Sequence, residues 1–126
     1  HGNKAGPEFQ VNTTNAGNQT KSAITALANG RFVVSWEDFS ATGGDTSDSA
    51  IRAQVFESDG TKSGPEFLVN TTTDKSQWFN EITALPDGRF VICWSDSSRT
   101  GADTSGSAIR AQVFNGDGSP MGSEFW

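Results

Sequence analysis

Two loops of this chain carry oxygen-bearing side chains at alternate positions. Asp38, Ser40 and Thr42 precede Gly43 with Asp45 beyond, and Asp96, Ser98, Thr100, Gly101 and Asp103 repeat the arrangement. A short loop wraps a hard cation with such oxygens, which makes Asp38, Asp45, Asp96 and Asp103 candidate calcium ligands. Set against a DxDxDGxxD calcium loop, hydroxyls replace the second and third carboxylates and the last Asp arrives one position early. Two carboxylates per loop make a weak site. The competing reading is an ordered loop in which Asp and Ser side chains cap backbone amides.

A second group of residues could bind an uncharged or weakly acidic ligand. Arg52 and Arg110 sit in two copies of AIRAQVF, followed by Gln54 and Gln112. An arginine in an otherwise apolar strand has to find carboxylate or carbonyl partners, for which Glu8 or Asp38 is available. Alternatively, Arg and Gln line a groove between sheets and contact a sugar hydroxyl or carboxylate. Trp36 and Trp94 occupy equivalent strand positions and are expected to bury area between sheets or to stack on a ligand. Trp78 and Phe79 align with Thr20 and Lys21, so the repeat does not need aromatics there. They fall in a polar stretch, where exposed rings pack against a neighbouring subunit or a sugar.

Nothing in the sequence assembles a reaction centre. The single His is His1, the single Cys, Cys93, aligns with Ser35, and no GxSxG, HExxH, CxxC or phosphate-binding glycine loop occurs. The candidate carboxylates recur in duplicate, which fits multivalent binding better than one catalytic site, so the chain is expected not to be an enzyme.

These residues are positioned by a duplication. The stretch from Gly6 returns at Gly64 with an offset of 58 residues and no gap, and about 35 of the 58 aligned positions are identical. In the first copy, residues 8–12 read as a short strand, 13–21 as a polar loop and 23–28 as a second strand. The dipeptide Asn29-Gly30, matched by Asp87-Gly88, predicts a two-residue type I′ hairpin turn. Residues 31–37 then alternate Phe32, Val34 and Trp36 against Val33 and Ser35, and residues 50–56 alternate Ile51, Ala53 and Val55 against Arg52, Gln54 and Phe56. Asp59-Gly60 turns the chain into residues 66–69, read as the first strand of the next copy.

Composition bounds the class. With 126 residues, 33% hydrophobic content and no Lys/Glu/Ala/Leu-rich stretch of helical period, the chain predicts one cooperative all-β unit with repeats over 1–63 and 64–126. A net charge of −6, with no Lys/Arg cluster, disfavours nucleic acid and anionic membranes as partners. No apolar run approaches the roughly 20 residues of a membrane span, so membrane insertion is not expected.

Four strands per copy, apolar on two faces, predict a sheet sandwiched between like sheets, as in a β-propeller blade. Two blades do not close a ring. The expectation is therefore a homo-oligomer that completes a propeller, for instance three chains giving six blades, or one stretch of a longer array. That the chain starts and stops at the same phase of the repeat suits head-to-tail continuation. A single β-sandwich or barrel from both repeats is the alternative.

The strings ITALPDGRFVICW, GADTSGSAIRAQVFNGDG and GPEFLVNTTT resemble the tandem repeats of about 60 residues in large secreted or surface-attached bacterial proteins, many of which carry RTX-type calcium repeats or adhesin domains. The resemblance covers both copies and implies an extracellular or cell-surface setting. Glycine-rich RTX nonapeptides are not present in this sequence. Two function classes follow as expectations: a non-catalytic, lectin-like module binding glycans or cell-surface polysaccharide through repeated sites, or a structural, adhesive repeat stabilised by calcium.

Overall fold

The structure is a computed structural model and describes residues 6–13, 17–40, 49–71, 76–97 and 106–125. It is all-β, with two four-stranded antiparallel sheets and, among the described residues, no α-helix. The first sheet runs β1 (Gln19–Ala26), β2 (Phe32–Asp38), β3 (Ala50–Phe56) and β4 (Phe67–Leu68) in sequence order. The second repeats this with β5 (Gln77–Ala84), β6 (Phe90–Asp96), β7 (Ala108–Phe114) and β8 (Pro120–Phe125). The long central strands form where the sequence alternates, and equivalent aromatics pair across them: Phe32 stacks on Phe56 at 5.1 Å and Phe90 on Phe114 at 5.3 Å.

Three expectations are corrected. Residues 8–12 are not a strand of the first sheet; its fourth strand, β4, comes instead from the start of the second repeat. The polar stretch expected as loop is partly strand, because β1 begins at Gln19 and β5 at Gln77, each with a bulge between its first two pairs and the rest. Lys21 and Phe79 are the extra residues, at φ 52° and 53°.

The hairpin turns are not type I′ either. Ala28–Gly30 forms a 3₁₀ turn, and in the second copy the Gly88 N–H donates to Leu85 O while Leu85 N–H donates to Arg89 O. This is a three-residue loop of a type I turn closed by a glycine at positive φ, 89° for Gly88. Pro86 presets the first turn position, and Asp87 keeps negative φ because its carboxylate accepts the N–H of Arg89 two residues on. Asp59 and Asp117 do the same for Thr61 and Ser119. The Thr61 hydroxyl and N–H hold the Asp59 carboxyl below the ordinary carboxylate range, as those of Ser119 do for Asp117.

The sheets stack unlike face to unlike face. Val33, Ile51, Ala53 and Val55 of the first sheet form one core with Phe90, Ile92, Trp94 and Phe114 of the second. These second-sheet residues are the counterparts of Phe32, Val34, Trp36 and Phe56, which lie on the opposite face of the first sheet with Val11 against them. Residues 6–13 thus lie over the first sheet as residues 64–71 lie over the second: Phe9 packs on Phe56 at 5.5 Å and Phe67 on Phe114 at 5.4 Å. Strand β2 is therefore closed on both sides, whereas β6 alternates buried with partly open residues.

Candidate functional site

Arg52 is buried on the face that carries Trp36 and Gln54. Its Nε donates to Asp38 Oδ2 at 2.7 Å, and its Nη1 lies 3.7 Å from Glu66 Oε2. Asp38 also accepts from Gln19 Nε2 at 2.9 Å and from the Ser40 hydroxyl at 2.6 Å. Gln19 in turn accepts from Asn12 Nδ2 at 3.3 Å, and Glu66 accepts from the backbone N–H and the hydroxyl of Thr13. One polar chain thus runs from Asn12 through Gln19, Asp38, Arg52 and Glu66 to Thr13. It ties strands β1 to β4 to the segment that lies over the sheet.

The second copy repeats the chain. Arg110 Nε donates to Asp96 Oδ2 at 2.6 Å and Nη1 to Glu124 Oε1 at 3.3 Å. Gln77 donates to Asp96 at 2.9 Å and accepts from Asn70 at 3.4 Å, while Thr71 N–H donates to Glu124 at 3.1 Å. Burial opposes ionisation of Asp38, but the hydrogen bonds from Ser40, Gln19 and Arg52, with the guanidinium charge, outweigh it and hold the carboxyl below its usual range. Of the two partners expected for Arg52, Asp38 is its partner; the glutamate is Glu66, the counterpart of Glu8 in the next repeat, and Glu8 itself is exposed. Sequence reasoning passed over Gln19, Gln77, Asn12, Asn70, Glu66, Glu124, Thr13 and Thr71. Their one signal was identity between copies at polar positions.

Gln54 and Gln112 close a different gap. Gln54 Nε2 donates to the carbonyls of Val55 and Gly64 at 2.9 and 2.8 Å, and Gln112 Nε2 to Val113, Met121 and Gly122. Each amide satisfies carbonyls where the outer strand departs from register. Trp36 and Trp94 are buried, and their indole N–H groups, like the Oε1 atoms of Gln54 and Gln112, have no hydrogen-bond partner among the described residues.

The candidates that remain open are on the bulge of β5. Trp78 is paired to Ser95 in the strand and partly buried, and Phe79 is 58% exposed. The positive φ of Phe79 aims its N–H at the first sheet, where the buried Glu37 carboxylate accepts it at 2.8 Å. The adjacent Asn80 accepts from the Ser35 hydroxyl at 2.5 Å and donates to the Lys21 carbonyl at 2.9 Å. Lys21 Nζ stands 4.2 Å from the centre of the Phe79 ring, and Trp78 meets that ring edge-on at 6.5 Å. An aromatic pair and an ammonium are thereby fixed at the seam between the sheets.

Of the four calcium candidates, Asp38 and Asp96 are the carboxylates paired with Arg52 and Arg110, while Asp45 and Asp103 lie outside the described residues. Among the described residues no group of three or more His, Cys, Asp or Glu is placed to hold a metal ion. No family model, no curated protein and no solved structure matches this chain.

Proposed function

We propose that this chain is a non-catalytic carbohydrate-binding module of a secreted or cell-surface protein, with the sugar stacking on the aromatic seam of β5. The observation that carries the reading is Phe79, a ring 58% exposed on a backbone at φ 53° that Glu37 fixes from below. A bulky residue in that conformation is held against its own preference, a feature that clusters at binding sites. The exposed part of its ring and Trp78 suit the apolar face of a sugar, and the Lys21 ammonium, which lies over the Phe79 ring, suits hydroxyl oxygens at its edge. Arg52, Arg110, Gln54 and Gln112 support the sheet beneath rather than the ligand. A glycan array tests the reading: reproducible binding to one sugar class, lost in Phe79→Ala with the fold intact, is expected, and a blank array with folded protein removes it.

A second reading, a structural or adhesive repeat of a surface protein, is favoured by the polar chain that recurs in full in both sheets. A unit so tied can be stacked in series to supply length. Calcium belongs to this reading if millimolar calcium raises the melting temperature and a chelator reverses the rise. An unchanged melting temperature excludes it.

A further inference from the structure

The joint inside the chain has two sides, and each side has a copy of itself left open at an end of the stack. Ile51 is 0% exposed in the joint, whereas its counterpart 58 residues on, Ile109, is 63% exposed. Val33, Ser35, Ala53 and Val55 are sealed, and their counterparts Val91, Cys93, Ala111 and Val113 are partly open. On the other side, Ile82 packs against the core while Ile24 is 65% exposed. Trp94 and Ile92 are closed off by the first sheet, and the equivalent Trp36 and Val34, buried at 3% and 7% exposure, form the floor of a groove of about 420 Å³ beside Lys21.

We propose that the outer face of the second sheet seats on the outer face of the first sheet of another copy of this chain, repeating the inner joint between molecules. The occupant is set by continuity with an interface that this sequence already makes. The positions of its polar contacts carry over by the same offset, with different side chains at two of them. Asn70 Oδ1 accepts the N–H of Ile51 at 2.9 Å within the chain, and Asn12 of the incoming copy meets Ile109 in the same way. The Ser35 and Asn80 pair becomes Cys93 against Ser22, and the Glu37 contact to Phe79 N–H becomes Ser95 against Lys21. The bed is prepared, since residues 6–13 already hold on the first sheet the place that 64–71 hold on the second. Residues 6–9 and 122–125 are copies of one stretch, so at each joint residues 6–9 of the incoming copy take the edge place beside β7 that 122–125 hold in the single chain. The contact is heterologous, and its closure into a ring or growth into a linear stack follows from the rotation per joint.

Sedimentation equilibrium over a range of concentrations, with Ile109→Asp and Ile24→Asp beside the parent chain, tests the proposal. The parent is expected at multiples of 13.4 kDa and each variant at the monomer mass with an unchanged β-sheet spectrum and cooperative melt. Both isoleucines are exposed in the single chain, so its own fold does not depend on them. Ser22→Cys is expected to give a disulfide-linked ladder with Cys93 of neighbouring copies under oxidising conditions, abolished by Cys93→Ser. A parent chain that is monomeric at every concentration and a Ser22→Cys variant that gives no ladder overturn the proposal. Assembly that survives both aspartate substitutions overturns it as well. If an aspartate variant does not melt cooperatively, the ladder decides alone.

Discussion

Replacing Arg52 by Ala leaves Asp38 and Glu66 enclosed with no cation, and breaking a buried pair in this way costs about 3–5 kcal/mol. Arg110→Ala does the same to Asp96 and Glu124. Urea denaturation measures both losses, and the midpoint is expected to fall sharply in each variant. Arg52→Lys recovers only part, because an ammonium does not reproduce the directed Nε and Nη1 contacts. The same site sets an acid limb. The folded state lowers the Asp38 carboxyl from its ordinary value of 3.8, so the stability it contributes is complete above that value and is lost as the pH falls through the lowered one. The urea midpoint should therefore decline below about pH 4, and Asp38→Asn should flatten part of that decline while lowering stability at neutral pH.

At the scale of the element, the outer segment is fixed by an aromatic ring resting on a turn. Gly118 has φ 92°, and a Cβ there would come within 2.9 Å of the Phe67 ring; Gly60 and Phe9 repeat the contact. Gly118→Ala adds a left-handed backbone penalty of about 1–2 kcal/mol to the displacement of Phe67, and a fall in melting temperature reads the sum. Strands β2, β3, β6 and β7 were legible because their apolar residues alternate, and Arg52 with Asp38 because a buried charge needs an opposite one. The start of β1 was not legible: residues 19–22, Gln-Thr-Lys-Ser, show no alternation, and a bulge cancels the period that would have betrayed a strand. Glu8 was expected where Glu66 stands because the fourth strand of each sheet lies after the turn at which the sequence repeat begins again. The turn type was misread because Asp-Gly serves two geometries, and the cap that Asp87 makes to Arg89 selects the second. At the candidate site, Trp78 and Phe79 stood out by having no aromatic counterpart, but their anchoring by Glu37 required the neighbouring sheet to be in place.

For the whole molecule, the core shared between the sheets is the larger of the two buried apolar clusters among the described residues, and each sheet buries one face there against the other. Thermal unfolding is expected as a single transition, with tryptophan fluorescence, which reports the buried Trp36 and Trp94 of both sheets, and the far-ultraviolet β signal coincident; two separated steps would show that the sheets unfold independently. The unlike-face stacking also gives the duplicated unit a direction, as head and tail do for the monomer of a polymer. A position that faces the joint in one copy lies on an outer face of the pair of sheets in the other. The two versions of a residue then answer to different neighbours. Ser35 and Cys93, Glu37 and Ser95, and Lys21 and Phe79 have diverged at those positions, while Asp38 and Asp96, Arg52 and Arg110, and Glu66 and Glu124, whose partners do not change with place in the line, are the same. The duplication thus left each copy of the unit with a rank as well as a fold.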